Sequence, residues 1–127
     1  MDCACFDADV DDYVTPISDT KPTARKEHTC CECGRIIRIG ERYRLEKNVF
    51  DGSFDTFKTC VDCDSVRTHL VCSFYYTQVW ELVTENIREC ALFDSIPYSK
   101  IAKLTPLARE QVCEIIEEYW DDQEDEY

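Results

Sequence analysis

Cys30 and Cys33 are separated by two residues, and so are Cys60 and Cys63. Two cysteines at that spacing can turn around one metal ion, and two such pairs supply the four thiolates that a structural zinc site arranges as a tetrahedron. One Zn2+ held by Cys30, Cys33, Cys60 and Cys63 is therefore the central expectation. Four thiolates leave no open position of the kind a catalytic zinc keeps. With only two histidines, His28 and His69, there is also little material for a general base. The chain is read as a non-enzyme, with no catalytic residue assigned.

Ten cysteines are present in all. Cys31-x-Cys33 is a poorer chelating pair than Cys30-x2-Cys33, which leaves Cys31 outside the first site. Cys31 can instead join Cys3, Cys5 and Cys72 or His28 in a second zinc site tying the N-terminal arm to the rest. The alternative is that these are reduced thiols, with Cys72 buried. Cys90 and Cys113 fall on apolar helical faces, where cysteine behaves as a small hydrophobe. Trp80 and Trp120 read as core or partial-core residues, and His69 as a surface or capping residue.

The elements that must position the ligands follow from local pattern. Residues 1–24 form an acidic, mostly irregular arm with Pro16 and Pro22. Residues 25–72 form the zinc-binding module. Within it, Tyr43, Leu45, Lys47 and Val49 alternate with polar neighbours, and Asp51-Gly52 precedes a second run. Asp-Gly between two such runs signals a hairpin, because both central residues of a type I′ turn need positive φ. Strands are predicted at about 41–50 and 53–59, followed by a short helix whose first turn holds Cys60 and Cys63. Residues 73–120 read as helical. Thr77 is a candidate cap for a helix bearing Val79, Trp80, Leu82, Val83, Ile87, Cys90 and Ala91 at helical spacing, and Ser95-Ile96-Pro97 ends it. A short piece spans 99–104. Thr105-Pro106 then supplies an N-cap and an N1 proline for a last helix, and 121–127 is an acidic tail. The fold class is α+β, a central zinc-bound hairpin module followed by about three α-helices.

The formal charge is −13, unevenly spread. Residues 1–20 carry six acids and no bases, 21–58 carry nine bases and six acids, and 59–127 carry fifteen acids and five bases. Acidic flanks repel the phosphates that a mildly basic middle attracts. Glu110, Glu114, Glu117, Glu118, Asp121 and Asp122 recur at steps that can line one helix face, where like charges destabilise the helix. No run approaches the roughly 18 apolar residues needed to span a bilayer. The first residues have neither the basic start nor the apolar stretch of a signal peptide. A cytoplasmic location is expected, the host cytoplasm if the source is viral, with no membrane and no small-molecule substrate.

The stretch from His28 through Cys30, Cys33 and Gly34 to Gly40 and Tyr43 resembles the zinc-knuckle opening of treble-clef fingers. The hairpin and the cysteine-bearing helix start extend the resemblance over about residues 25–70. The chain also resembles the small cysteine-rich zinc proteins of bacteriophage genomes. That resemblance implies metal binding and the local fold, whereas function varies among treble clefs. The expected function is a zinc-stabilised acidic binding or regulatory protein whose partner is a protein with a basic surface. A concrete version is a phage-type inhibitor of nucleic-acid-handling or defence machinery, such as a restriction or CRISPR complex. One alternative is nucleic-acid binding through Arg35, Arg38, Arg42, Arg44 and Lys47 with Tyr43, Phe54 or Phe57 for stacking. Another is a structural adaptor in a larger assembly.

Overall fold

The computed structural model describes residues 6–8 and 15–124, and the architecture is α+β. In chain order the elements are β1 (Phe6–Asp7), β2 (Thr15–Thr20), β3 (His28–Thr29), β4 (Ile36–Ile37), β5 (Tyr43–Phe50), β6 (Ser53–Cys60), α1 (Val61–Leu70), β7 (Val71–Ser73), α2 (Val79–Leu92), α3 (Tyr98–Ile101) and α4 (Pro106–Glu124).

The central hairpin forms where its turn chemistry places it. Asp51 and Gly52 take φ of 51° and 78°, the positive values a type I′ connection needs. β5 and β6 then pair in continuous antiparallel register from Phe50↔Ser53 to Tyr43↔Cys60. That register carries Cys60 back to the side of the molecule where β3 and β4 form a second, two-stranded hairpin around Cys30 and Cys33.

The N-terminal segment departs from the irregular arm expected of it. β2 adds antiparallel to β5, with a bulge between Pro16 and Ser18, and makes the sheet order β2-β5-β6. Proline is tolerated there because an edge strand has one side free of ladder hydrogen bonds. Pro16, Ile17, Asp19 and Thr20 are exposed, so no buried face imposed an alternating pattern that the sequence could display. Farther upstream, β1 pairs in parallel with β7, and Phe6 is 1% exposed in the helical core.

Two cores result. The larger gathers Phe6, Val66 and Leu70 of α1, Val79, Val83, Ile87 and Cys90 of α2, Ile101 and Leu104, and Ala108, Val112 and Ile116 of α4. The smaller contains Ala24, Cys30, Ile37, Tyr43, Cys60 and Cys63. α1 contributes to both, and the partly buried Trp80 packs against both.

α4 continues to Glu124, so Asp121 and Asp122 are helical rather than part of a loose tail. Cys113 corrects a second expectation. It is exposed, because it sits on the flank of α4 away from the Ala108, Val112 and Ile116 stripe. Trp120, also expected inside, is 44% exposed near the end of the same helix.

Candidate metal centre

The metal site is assembled from two tight backbone devices. On one side the β3–β4 turn closes through Gly34 N–H donating to the Cys30 carbonyl at 3.0 Å and Cys30 N–H donating to the Arg35 carbonyl at 2.9 Å. Gly34 takes φ of 77°, a conformation that a residue with a Cβ rarely adopts. On the other side Cys60 ends β6 and is the N-cap of α1, with its sulfur accepting from Cys63 N–H at 3.5 Å. The first turn of α1 therefore presents Cys60 and Cys63 together, as the two-residue spacing requires.

The four ligand sulfurs of Cys30, Cys33, Cys60 and Cys63 all lie within 4.8 Å of one another. Cys33 Sγ and Cys60 Sγ are 3.8 Å apart. A tetrahedron with metal–sulfur bonds of 2.3 Å has edges of about 3.8 Å, so the spacing fits a thiolate-bound ion. Cys30, Cys60 and Cys63 are buried and Cys33 is exposed. The donor set thus suits one tetrahedral metal ion.

Hydrogen-bond donors converge on these sulfurs. Glu32 N–H and Cys60 N–H each donate to Cys30 Sγ at 3.4 Å, and Trp80 Nε1–H donates to Cys63 Sγ at 3.2 Å. Without a cation, four sulfurs this close do not ionise together. Hydrogen bonds from Cys60 and Cys63 pull the Cys30 thiol down, while the contact with Cys30 pushes Cys60 up to about 12. A bound divalent cation reverses that competition, because coordination deprotonates thiols outright. Partial burial opposes the charge of Arg35, yet Glu41 and the Cys60 sulfur hold it firmly protonated.

Among the contacts that join this centre to the helical half, two reach α2. Glu32, inside the knuckle, accepts from Thr77 N–H at 2.9 Å and from Val79 N–H at 3.1 Å. Its carboxylate satisfies amide donors at the start of α2, the role expected of Thr77. Thr77 itself has φ of 72°, unusual for a β-branched residue, and Gln78 at the N-cap position makes no side-chain capping bond. The second contact is Trp80, whose ring packs on both cores while its N–H reaches a ligand sulfur.

No protein-family model, curated protein or solved structure matches this chain. The site's chemistry therefore rests on its geometry.

The residues of the suggested second site are not brought together among the described residues. The four-cysteine group is the one ligand cluster there. Cys31 is half-buried, contacts Thr59 Oγ1 at 3.5 Å, and has its thiol pushed up to about 11, chiefly by burial. His28 Nδ1 lies 3.2 Å from Lys58 Nζ, and desolvation, then Lys58 and Lys26, lower its pKa. Cys72 and Cys90 are each in a disulfide, which takes Cys72 out of a thiolate set and makes Cys90 more than a small hydrophobe. Cys3 and Cys5 lie outside the described residues. No helix among the described residues is long and apolar enough to cross a membrane.

Two of the five basic residues considered for nucleic-acid binding, Arg35 and Arg44, are taken up by ion pairs. Arg35 pairs with Glu41 at 3.1 Å and Asp62 at 3.3 Å, and Arg44 pairs with Asp19 at 2.7 Å and Asp64 at 2.8 Å. Tyr43 is buried, and Phe57 is stacked on Tyr76 at 3.8 Å. Arg38, Arg42, Lys47 and Phe54 remain exposed. Sequence reasoning missed Arg67 entirely. Its side chain is 5% exposed, pairs with Glu46 at 2.7 Å, and lies 4.0 Å from the centre of the Phe74 ring. Glu46 also accepts from Tyr76 Oη at 2.7 Å. An arginine in the middle of a short helix gives no local sign that a strand from an earlier hairpin will bury it.

Proposed function

We propose that the chain is a zinc-stapled binding protein, not an enzyme, which presents the acidic face of α4 to a basic surface on a protein partner. Zn2+ is the ion that four thiolates in a tetrahedral set suit best. When bound, it supplies folding energy and shape to a treble-clef-like knuckle, hairpin and helix start. Cys30, Cys33, Cys60 and Cys63 hold it.

One observation carries the binding role. Glu110, Glu114, Glu117, Glu118, Asp121 and Asp122 are all exposed on α4, opposite the stripe of Ala108, Val112 and Ile116 that the helix buries. Among the described residues none of the six enters an ion pair, although Arg35, Arg44 and Arg67 of the hairpin module are neutralised by carboxylates. Unpaired like charges at steps of three and four work against the helix that bears them. A cationic partner removes that repulsion and gains rate from long-range attraction.

The concrete form of this reading is an inhibitor that occupies the nucleic-acid-binding surface of a defence or restriction complex. The test is competition in a gel shift. The zinc-loaded chain should displace DNA from such a basic complex at low salt and lose that ability as salt rises. A variant with Glu110, Glu114 and Glu117 changed to Gln and Asp121 to Asn should keep its zinc and melting temperature yet compete far less. Equal competition by both proteins would sink the acidic-face reading. Direct DNA binding by the chain at low salt would instead favour the exposed Arg38, Arg42, Lys47 and Phe54.

A further inference from the structure

A cleft of about 430 Å3 lies between the β2-β5-β6 sheet and the segment joining β7 to α2. Phe50, Phe57, Phe74 and Tyr76 line it, and the carboxylates of Asp19, Glu46 and Asp55 reach its wall. Its surface is therefore mostly apolar and rich in aromatic rings, with acid groups and no lining cation. That combination recognises a planar cation, since an aromatic face attracts positive charge and a carboxylate fixes its direction.

The fold already uses this chemistry beside the cleft. The Arg67 guanidinium lies over Phe74 at 4.0 Å and 5.6 Å from the Tyr76 ring centre, while pairing with Glu46. Tyr76 is in turn held by the parallel Phe57 ring at 3.8 Å and by Asn48 Nδ2–H at 3.1 Å, so the aromatic wall is built rather than loose. Arg67 and Arg44 take up Glu46 and Asp19. Asp55 is different. It is exposed on β6 opposite Asn48, and among the described residues no ion pair engages it.

We propose that this cleft binds the guanidinium side chain of an arginine on a partner protein, stacked on the aromatic lining and paired with Asp55. Arginine fits better than lysine because its flat, weakly hydrated head can stack while its N–H groups reach a carboxylate. Charge complementarity selects this occupant over an apolar side chain, which would leave Asp55 unanswered at the mouth. The inference deepens the reading of a basic partner, but its residues belong to the hairpin and the β7–α2 connection, not to α4.

The test is NMR titration of the full, zinc-loaded chain with three short peptides identical except for one central residue: arginine, its uncharged isostere citrulline, or lysine. The arginine peptide should shift the amides of Asp55, Phe57 and Tyr76 and the ring protons of Phe50 and Phe57, with saturation. The citrulline peptide should bind about tenfold more weakly, the equivalent of about 1.4 kcal/mol. Asp55→Asn, a surface change that leaves the zinc site and core untouched, should remove most of the arginine preference. The α4 variant described above should bind the arginine peptide normally, so failure of the α4 reading and failure of this one are separable. Equal binding of arginine and citrulline peptides would overturn the proposal in favour of an apolar occupant. Absence of any shift at the cleft with millimolar peptide would also overturn it.

Discussion

The two cores of this molecule are stabilised in different ways. Half of the six buried residues in the hairpin core are cysteines, accompanied by Ala24, Ile37 and Tyr43. The helical core has twelve buried residues among those described, nearly all aliphatic, drawn from four helices, from Leu104 and from Phe6. Fully burying an aliphatic side chain is worth about 1.5–3 kcal/mol, so the helical core can hold itself together by burial. The hairpin core cannot, because its centre is four sulfurs that repel one another once ionised. The contrast shows where each half is vulnerable: one to loss of a cation, the other to loss of volume. Glu32, Trp80 and α1 decide how far damage in one half reaches the other.

Removing the metal should give the largest effect. A structural zinc contributes on the order of 10 kcal/mol of folding energy near neutral pH. Chelation, or Cys60→Ser, should therefore abolish the dispersed amide signals of β3 to β6. Slowly exchanging amides of α2 and α4 should survive, though less protected. If both halves lost protection together, the two-core division would be wrong and the chain would be one cooperative unit.

The buried ion pair at their junction comes next. Arg67→Ala leaves Glu46 buried at 7% exposure with its nearer guanidinium gone and Arg44 Nε 3.8 Å away, and breaking such a buried pair costs about 3–5 kcal/mol. Chemical denaturation should show this loss, with zinc stoichiometry unchanged. Arg67→Met should cost less, because it keeps packing against Phe74. Equal losses would show that the charge has no part in holding β5 to α1.

The smallest effect sharpens the link across the knuckle. Glu32→Gln keeps the shape but weakens the acceptor for Thr77 and Val79 N–H, and a lost helix cap typically costs about 1 kcal/mol. Hydrogen exchange should quicken in the first turn of α2 and not in β5 or β6. Unchanged exchange there would mean that Trp80 and α1 alone carry the connection.

Much of the site was legible because it depends on neighbours in sequence. The two-residue spacings define the ligand pairs, Asp51-Gly52 defines the turn, and the turn's register returns Cys60 to the knuckle. The helices at 79–92 and 106–124 follow from apolar spacing and from Thr105-Pro106. The α+β class was readable for the same reason. Less legible were residues whose role depends on docking. The upstream segment shows no strand pattern because β2 buries almost nothing. Arg35 and Arg44 look like a basic patch until Glu41, Asp62, Asp19 and Asp64 are brought to them.

By itself, then, the sequence determined the two cysteine pairs that could hold a metal ion, the central hairpin and the helical faces, since short-range geometry and periodicity restrict these whatever surrounds them. The tertiary structure decided which charges remain free, that a knuckle glutamate caps α2, that Arg67 is buried against Phe74, and that rings from β5, β6 and the β7–α2 connection form one acidic cleft. Several of those contacts join groups far apart in the chain, 20 residues for Arg44–Asp64 and 47 for Glu32–Val79. No local propensity encodes such pairings; they exist only once the hairpin, α1 and α2 have docked.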